Sequence, residues 1–323
     1  MKIIITGAAG FIGYHLCNKL LQDSYDVAGI DNLNEYYDVN LKTARLNSLK
    51  QEPAFNFHKL DISNKDSILE FFNKFKPQLV IHLAAQAGVR YSIENPEAYT
   101  RSNLVGFANI LEACRSNNIN NLVYASSSSV YGGNTKIPFS VKDPVCKPIN
   151  YYGATKRANE LMAFSYSEVF GLRTTGLRFF TVYGPWGRPD MSYFKFTKNI
   201  MSGQPIDVYN NGKHSRDFTF IDDIIDGVIR AMNNNLAEEK ADGYSRLYNL
   251  GNNKPVELMH YISIFEEIIG RKANLNMMEK QTGDMVITYA DIDDSVKDLG
   301  FNPTTTIEEG LKIFVDWFRD YYK

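Results

Sequence analysis

The stretch Lys2-Ile3-Ile4-Ile5-Thr6-Gly7-Ala8-Ala9-Gly10-Phe11-Ile12-Gly13, continued by Leu16, Leu20 and Leu21 and closed by Asp26-Val27-Ala28-Gly29-Ile30-Asp31, decides the fold. Ile3 to Ile5 is an apolar run without alternation, which predicts a strand buried on both faces. The three leucines recur at helical spacing, and Val27, Ala28 and Ile30 make a second short strand. The order is strand, glycine-rich turn, helix, strand. Gly7 permits a tight turn off the first strand, Gly10 lets a pyrophosphate approach the backbone, and Gly13 lets the helix pack closely on the sheet. The helix N-terminus then offers free N–H groups and partial positive charge to phosphates. Asp31 follows the last glycine by 18 residues, close to the offset of about 20 expected for a carboxylate that accepts from a ribose 2′-hydroxyl. Such a carboxylate repels a 2′-phosphate, so the pattern predicts NAD rather than NADP.

Outward from this unit the same alternation continues. Phe55 to Leu60 reads as a third strand, and Ser63-x-x-Asp66 opens a helix that runs to Phe75 and stops before Pro77. Asp61 and Ile62 suit either the adenine edge of a dinucleotide or, for the acid, a helix N-terminus. Leu79 to Ala85 is a buried strand, Pro96 to Asn117 a long helix, Leu122 to Ala125 a strand running into four serines, Tyr152 to Phe170 a helix and Thr174 to Phe180 a strand. Repeated strand–helix alternation predicts an α/β fold, a doubly wound parallel sheet of Rossmann type with right-handed crossovers. Beyond Gly184 the texture changes to short segments broken by Pro185, Gly187, Pro189, Gly203, Pro205 and Gly212. The expected organisation is a dinucleotide-binding domain over 1–183, its sheet completed by a segment near 247–270, and a smaller, mainly substrate-binding domain over 184–323. Asp222 to Met232 is amphipathic, and Thr306-x-x-Glu309 is a capping box for a last helix to Tyr321.

The 323 residues are 44% hydrophobic and 22% charged, ordinary globular usage, and the formal charge of −2 argues against a surface for nucleic acid. Cys17, Cys114 and Cys146 form no paired motif, and the five histidines lack metal-ligand spacing. No metal site is expected. No apolar run reaches membrane-spanning length, and the N-terminus enters a strand that the fold needs. These features predict a cytoplasmic protein with inert thiols.

Tyr152-Gly-Ala-Thr-Lys156 supplies the chemistry. Residues four apart on a helix share one face. An ammonium about 4 Å from a phenol is worth ~4 kcal/mol at an effective dielectric of ~20. That equals ~3 pKa units, which would bring tyrosine from about 10 toward neutrality. Tyr152 could then exchange a proton with a sugar or alcohol hydroxyl. The pair follows Ser127, at the end of a strand, by 25 residues. Ser126 reads as a hydroxyl that satisfies backbone groups at the strand end.

Thr6-Gly-x-x-Gly-x-x-Gly13, Asn103, the serine cluster and Tyr152-x-x-x-Lys156 resemble the extended short-chain dehydrogenase/reductase superfamily. Longer stretches are more specific: Asp31-Asn-Leu-Asn-Glu-Tyr-Tyr-Asp38, His82-Leu-Ala-Ala-Gln-Ala-Gly-Val-Arg-Tyr-Ser92, Ala125-Ser-Ser-Ser-Ser-Val-Tyr-Gly132, Leu177-Arg-Phe-Phe-Thr-Val-Tyr-Gly-Pro-Trp-Gly-Arg-Pro-Asp-Met191 and Arg216-Asp-Phe-Thr-Phe-Ile-Asp-Asp223. Together they resemble UDP-glucuronate 4-epimerases, including those of bacterial surface-polysaccharide synthesis. The resemblance implies that Tyr152 takes the 4-hydroxyl proton while C4 gives hydride to NAD. A transient 4-keto sugar is then reduced from its other face. Ser127 would hydrogen-bond the 4-oxygen, and Lys156 would bind the nicotinamide ribose. It further implies NAD contacts at Gly7, Gly10, Phe11, Ile12, Gly13, Asp31, Asn32, Asp61, Ile62, Leu83, Ala84, Ala85 and Asn103, besides Tyr152 and Lys156.

For the substrate it implies Ser127, Ser128, Thr181 and Arg188 around the carboxylate, Arg216 on the diphosphate, Asp284 on the uridine ribose and Arg90 near the mouth. Arg216 and Arg90 also suit surface ion pairs, and Arg188 a loop arginine on solvent. Gln281 stands where some UDP-galactose epimerases have arginine, which weakens a simple-hexose reading. No acid lies in Ser127-Ser-Ser-Val130, where dehydratases and decarboxylases carry one, so water loss is not supported. A 4-keto uronate is a β-keto acid, and neutral hydroxyls can hold its carboxylate out of line for loss of CO2. The rivals are a 4-epimerase for another UDP-sugar (glucose, N-acetylglucosamine or its uronic acid), a nucleotide-sugar dehydratase or decarboxylase, and a dinucleotide-sensing module. The resemblance also implies a homodimer through the helices at 96–117 and 152–170.

Overall fold

Residues 1–237, 245–280 and 285–323 are described by a computed structural model. Seven parallel strands form the central sheet: β1 (Lys2–Thr6), β2 (Asp26–Asp31), β3 (Phe55–Lys59), β4 (Leu79–His82), β5 (Asn121–Ser127), β6 (Arg173–Phe179) and, after three strands outside it, β10 (Ser245–Leu250). Their spatial order is β10-β6-β5-β4-β1-β2-β3. The isoleucine run behaves as its lack of alternation predicts. Ile3 and Ile5 pack in the core on one face of the sheet, Ile4 in the core on the other, and all three are fully buried. Helices Phe11–Gln22 and Ile221–Leu236 cover the first face; Lys65–Phe75, Gly106–Ser116 and Tyr151–Phe170 cover the second. Each isoleucine so enclosed contributes about 1.5–3 kcal/mol.

The chain builds outward from β1 to β3, then crosses back to β4 and builds the other way. The strand order reverses between β1 and β4, and a crevice opens beyond their carboxyl ends. A three-stranded sheet lies past that edge, in the order β11 (Pro255–Glu257), β9 (Ser215–Phe220), β7 (Thr181–Tyr183). Beside it β8 (Pro205–Val208) pairs in parallel with β12 (Asn274–Met277). The last helix, Ile307–Tyr321, starts at the expected capping box, with Thr306 and Glu309 each bonding the other's backbone N–H.

Four local expectations change. The segment 96–117 is not one α-helix: a π-helical stretch, Thr100–Val105, separates Pro96–Tyr99 from Gly106–Ser116. The cap of Lys65–Phe75 is Asn64, whose side chain accepts from Ser67 N–H, while Ser63 turns back to the Asp61 carboxylate. Strand β4 ends at His82 rather than Ala85, because the Ala84 N–H is taken by the Thr6 hydroxyl at 3.1 Å. Strand β5 extends to Ser127, so the serine cluster begins inside the sheet.

Candidate active site

The glycine turn is a cradle that side chains would fill. Gly7 has φ +76° and donates its N–H to Ile30 O at 2.7 Å. A Cβ on Gly7 would meet Ala84 N at 2.8 Å, and one on Gly13 would overlap the Gly7 carbonyl. Gly13 therefore fits the helix against the turn itself rather than against the sheet. No side chain caps the N-terminus of Phe11–Gln22, so its first N–H groups remain available to an anion.

Asp31 stands at the end of β2. Its two oxygens accept from Leu33 N–H (2.8 Å) and Ala9 N–H (3.1 Å). Burial pushes its carboxyl up, and those N–H groups with Lys42 and Arg45 pull it back. Glycine cradle, uncapped helix and carboxylate fit a dinucleotide. Gly7, Gly10, Phe11, Ile12, Gly13, Asp31, Asn32, Ile62, Leu83, Ala84 and Ala85 all line one cavity of about 420 Å³.

The same cavity continues past Ser127, Ser128, Tyr152, Lys156, Thr181 and Arg188 to Arg216. Asn150 caps the helix that carries Tyr152, accepting from Gly153 N–H at 2.8 Å. The Tyr152 ring meets Tyr99 edge-on at 6.0 Å. Burial holds the phenol above its usual value; the Ser127 hydroxyl and the Arg188 charge pull it part of the way back. The expected depression by Lys156 is absent. Lys156 is 2% exposed and donates to Ala125 O at 2.8 Å, so its ammonium is spent on the end of β5. Burial lowers that ammonium to about 8, against the pull of Glu160.

Two expected cofactor contacts are not among the residues that line the cavity. Asn103, in the π-helical stretch, is buried and bonds Gln86 N–H (2.8 Å), Gln86 O (3.1 Å) and the Thr155 hydroxyl (3.0 Å). It braces the Gln86 loop against the Tyr152 helix. Asp61 accepts from Ser63 N–H and hydroxyl, from Asn32 and from Arg101 at 3.0 Å. Burial pushes its carboxyl up, but those donors outweigh burial and hold it below the usual range. Arg90 lies over the Tyr209 ring at 4.7 Å, outside the cavity lining. Arg216 lines the cavity while donating to Ser215 O and Val286 O. Ser126 bonds the Glu160 carboxylate at 2.6 Å rather than backbone. Asp284 and Gln281 lie outside the described residues.

Several supports escaped the sequence reading. Glu160 forms a buried ion pair with Arg178, at 2.8 and 2.9 Å, beneath Lys156. Its only local signal was its place four residues beyond Lys156. Arg45, fully buried, donates to Ala9 O (2.8 Å), the Tyr37 hydroxyl (2.7 Å), Trp186 O and Gly187 O (3.2 Å), tying the glycine loop to the loop that carries Arg188. No spacing rule announces such a contact across 141 residues.

The family model described as the NAD-dependent epimerase/dehydratase family matches residues 3–251. Protein CapI of Staphylococcus aureus is 51% identical over the full length of both chains. UDP-glucuronate 4-epimerase 2 of Arabidopsis thaliana is 44% identical, over 100% of this chain and 77% of its own. A crystal structure of UDP-glucuronic acid 4-epimerase from Bacillus cereus, in complex with UDP-glucuronic acid and NAD, superposes with a TM-score of 0.91 at 34% identity over all of both chains. A glycine cradle beside the Asp31 carboxylate, leading in one cavity to a buried tyrosine and lysine, accords with these matches, and the chain belongs to the NAD-dependent epimerase/dehydratase family.

Proposed function

We propose that the protein interconverts UDP-glucuronate and UDP-galacturonate by NAD-dependent epimerisation at C4, through a transient 4-keto sugar. The observation that carries this reading is the single cavity joining the glycine cradle to Tyr152, Ser127, Thr181 and Arg188. When bound, NAD accepts and returns the C4 hydride and places positive charge beside the phenol. Tyr152 removes the 4-hydroxyl proton and returns it to the same oxygen when the turned sugar is reduced at C4 on its other face, with Ser127 bonding the 4-oxygen throughout. Arg188 lends positive charge that the buried phenol needs to ionise, and Lys156 holds the nicotinamide ribose. Gly7, Gly10, Gly13 and Asp31 hold the dinucleotide, and Arg216 meets the diphosphate.

Retention of the substrate's oxygen and carboxylate follows from what lines the site. Among the described lining residues the one carboxylate is Asp31, at the cofactor end. Among the described residues that line the site, no acid stands beside Tyr152 to protonate a leaving hydroxyl, so dehydration has no donor there. Ser127, Ser128, Thr181 and Arg188 hold the uronate carboxylate, and a fixed carboxylate out of line with the carbonyl keeps its CO2.

The working unit is a homodimer. Val105, Tyr151, Leu161 and Phe164 are 39–54% exposed on the two helical segments that pack together beside the sheet. Apolar groups at that density favour a partner surface. The setting is the cytoplasm, in the synthesis of surface polysaccharide; the three thiols are unpaired, as a reducing compartment allows. Among the described residues no helix is long and apolar enough to cross a membrane.

Incubation with UDP-glucuronate and no added reductant, followed by proton NMR, tests the reading. UDP-galacturonate without CO2 is expected. Inert UDP-glucuronate alongside turnover of UDP-glucose would reassign the substrate.

A further inference from the structure

A guanidinium has two edges that can each grip a carboxylate: Nε with Nη2, and Nη1 with Nη2. In Arg188 the first edge is taken. Nε donates to Asp190 Oδ1 at 3.0 Å and Nη2 to Asp190 Oδ2 at 2.6 Å. No hydrogen bond among the described residues uses Nη1. Arg188 lines the cavity and Asp190 does not. The ion pair is thus a bracket at the cavity wall with one guanidinium edge engaged and the Nη1 edge left for a ligand.

The bracket is itself anchored. Tyr36 donates its hydroxyl to Asp190 Oδ2 at 3.3 Å, and its ring lies against Tyr91 at 4.8 Å. The Arg188 N–H donates to the Tyr193 hydroxyl at 3.1 Å. Side-chain exposure of 22% for Arg188 and 29% for Asp190 leaves the pair partly shielded from water, where a charge-assisted pair keeps its geometry and much of its strength.

We propose that Asp190 is a positioning residue, which turns the open edge of Arg188 toward the carboxylate of a uronate and so selects uronates over neutral sugars. The inference rests on the reading of Arg188 given under the proposed function. Without ligand, Asp190 neutralises the arginine. With a uronate bound, the guanidinium lies between two carboxylates, one on each edge. A sugar ending in a primary alcohol gains little from that edge, so Asp190 has little influence on its affinity.

The test is isothermal titration of the NAD-loaded enzyme with UDP-glucuronate and, separately, UDP-glucose. Asp190→Asn offers one acceptor oxygen in place of two and should weaken UDP-glucuronate about tenfold, with UDP-glucose within about twofold. Tyr36→Phe, a milder change that keeps the ion pair, should act in the same direction by about threefold. Equal weakening of both ligands would make Asp190 a framework residue, and unchanged or tighter UDP-glucuronate binding would make it dispensable or a competitor; each of these overturns the proposal. A wild-type enzyme that binds both sugars alike would instead overturn the substrate reading, whatever the variants do.

Discussion

At the cofactor end of the cavity, Gly7, Gly10 and Gly13 act by having no side chain, and all come from one short turn. At the other end, Tyr152, Ser127, Thr181 and Arg188 are side chains delivered by a helix, the tip of β5, β7 and a loop. Each end is braced by a buried arginine, and the braces differ. Arg178 faces a carboxylate, Glu160, while Arg45 is held by three carbonyls and a phenol. Backbone-built sites tolerate no added atoms. Side-chain-built sites tolerate a change of shape but not the loss of one charge from a pair.

The largest effect expected falls at the chemical end. Tyr152→Phe should lower turnover by about 10²–10⁴-fold. The NAD content of the purified protein should stay near that of the wild type, because the cradle is untouched. Loss of both together would mean that the two ends are not separable. Glu160→Gln comes next. It leaves the buried Arg178 charge without its carboxylate, though still over the Tyr131 ring, and should cost up to about 3–5 kcal/mol in urea denaturation. Replacing the pair together, Glu160→Gln with Arg178→Met, should restore most of that stability, since breaking a buried pair costs more than removing it. A double variant no better than the single would show that the pair itself is needed.

Gly13→Ala sharpens the contrast from the other side. A Cβ overlapping the Gly7 carbonyl should cost about 1–3 kcal/mol and, by shifting the turn, release NAD, readable as bound nucleotide per chain. Normal NAD content would mean that the cradle can yield. The smallest effect is in the pH dependence. Burial lowers Lys156 from 10.5 to about 8. Between about pH 8 and 10.5 the unfolded chain therefore binds more protons at this site than the folded one, and its contribution to stability rises with pH by up to about 1.4 kcal/mol per unit. Below that window the buried charge is a constant cost. Lys42 is also lowered to about 8, by burial first, so the informative quantity is a difference. The slope of stability against pH should be smaller in Lys156→Met than in the wild type, and parallel slopes would exclude Lys156 as its source.

The same contrast explains what the sequence disclosed. A turn whose parts lie within a dozen residues announces itself through spacing, as Gly7 to Gly13 do, and a tyrosine and lysine four apart on a helix do likewise. Asp190 sat in plain view two residues from Arg188, yet nothing in Arg-Pro-Asp says that the acid turns back on the arginine. The resemblance puts Asn103 at the cofactor, and Asp61 suits either the adenine edge or a helix N-terminus. Their partners, Gln86 and Thr155 for one and Ser63 and Arg101 for the other, are chosen by tertiary approach. The Lys156 effect on Tyr152 failed for a related reason. Helical spacing sets which face a side chain leaves from, and the end of β5 decided where the ammonium went.

The charges that line the cavity have a kinetic consequence. Among the described lining residues, Lys42, Lys156 and Arg216 outnumber the single carboxylate Asp31, with Arg188 balanced by Asp190 just outside the lining, although the chain as a whole carries a formal charge of −2. A concave, low-dielectric mouth of one sign focuses its field outward and gathers ligands of the opposite sign. A nucleoside diphosphate bearing a uronate is such a ligand, and its arrival is hastened over a distance that shrinks from about 30 Å in dilute buffer to about 8 Å at physiological salt. The near-balanced charge of the whole chain thus hides a cationic opening suited to an anionic ligand.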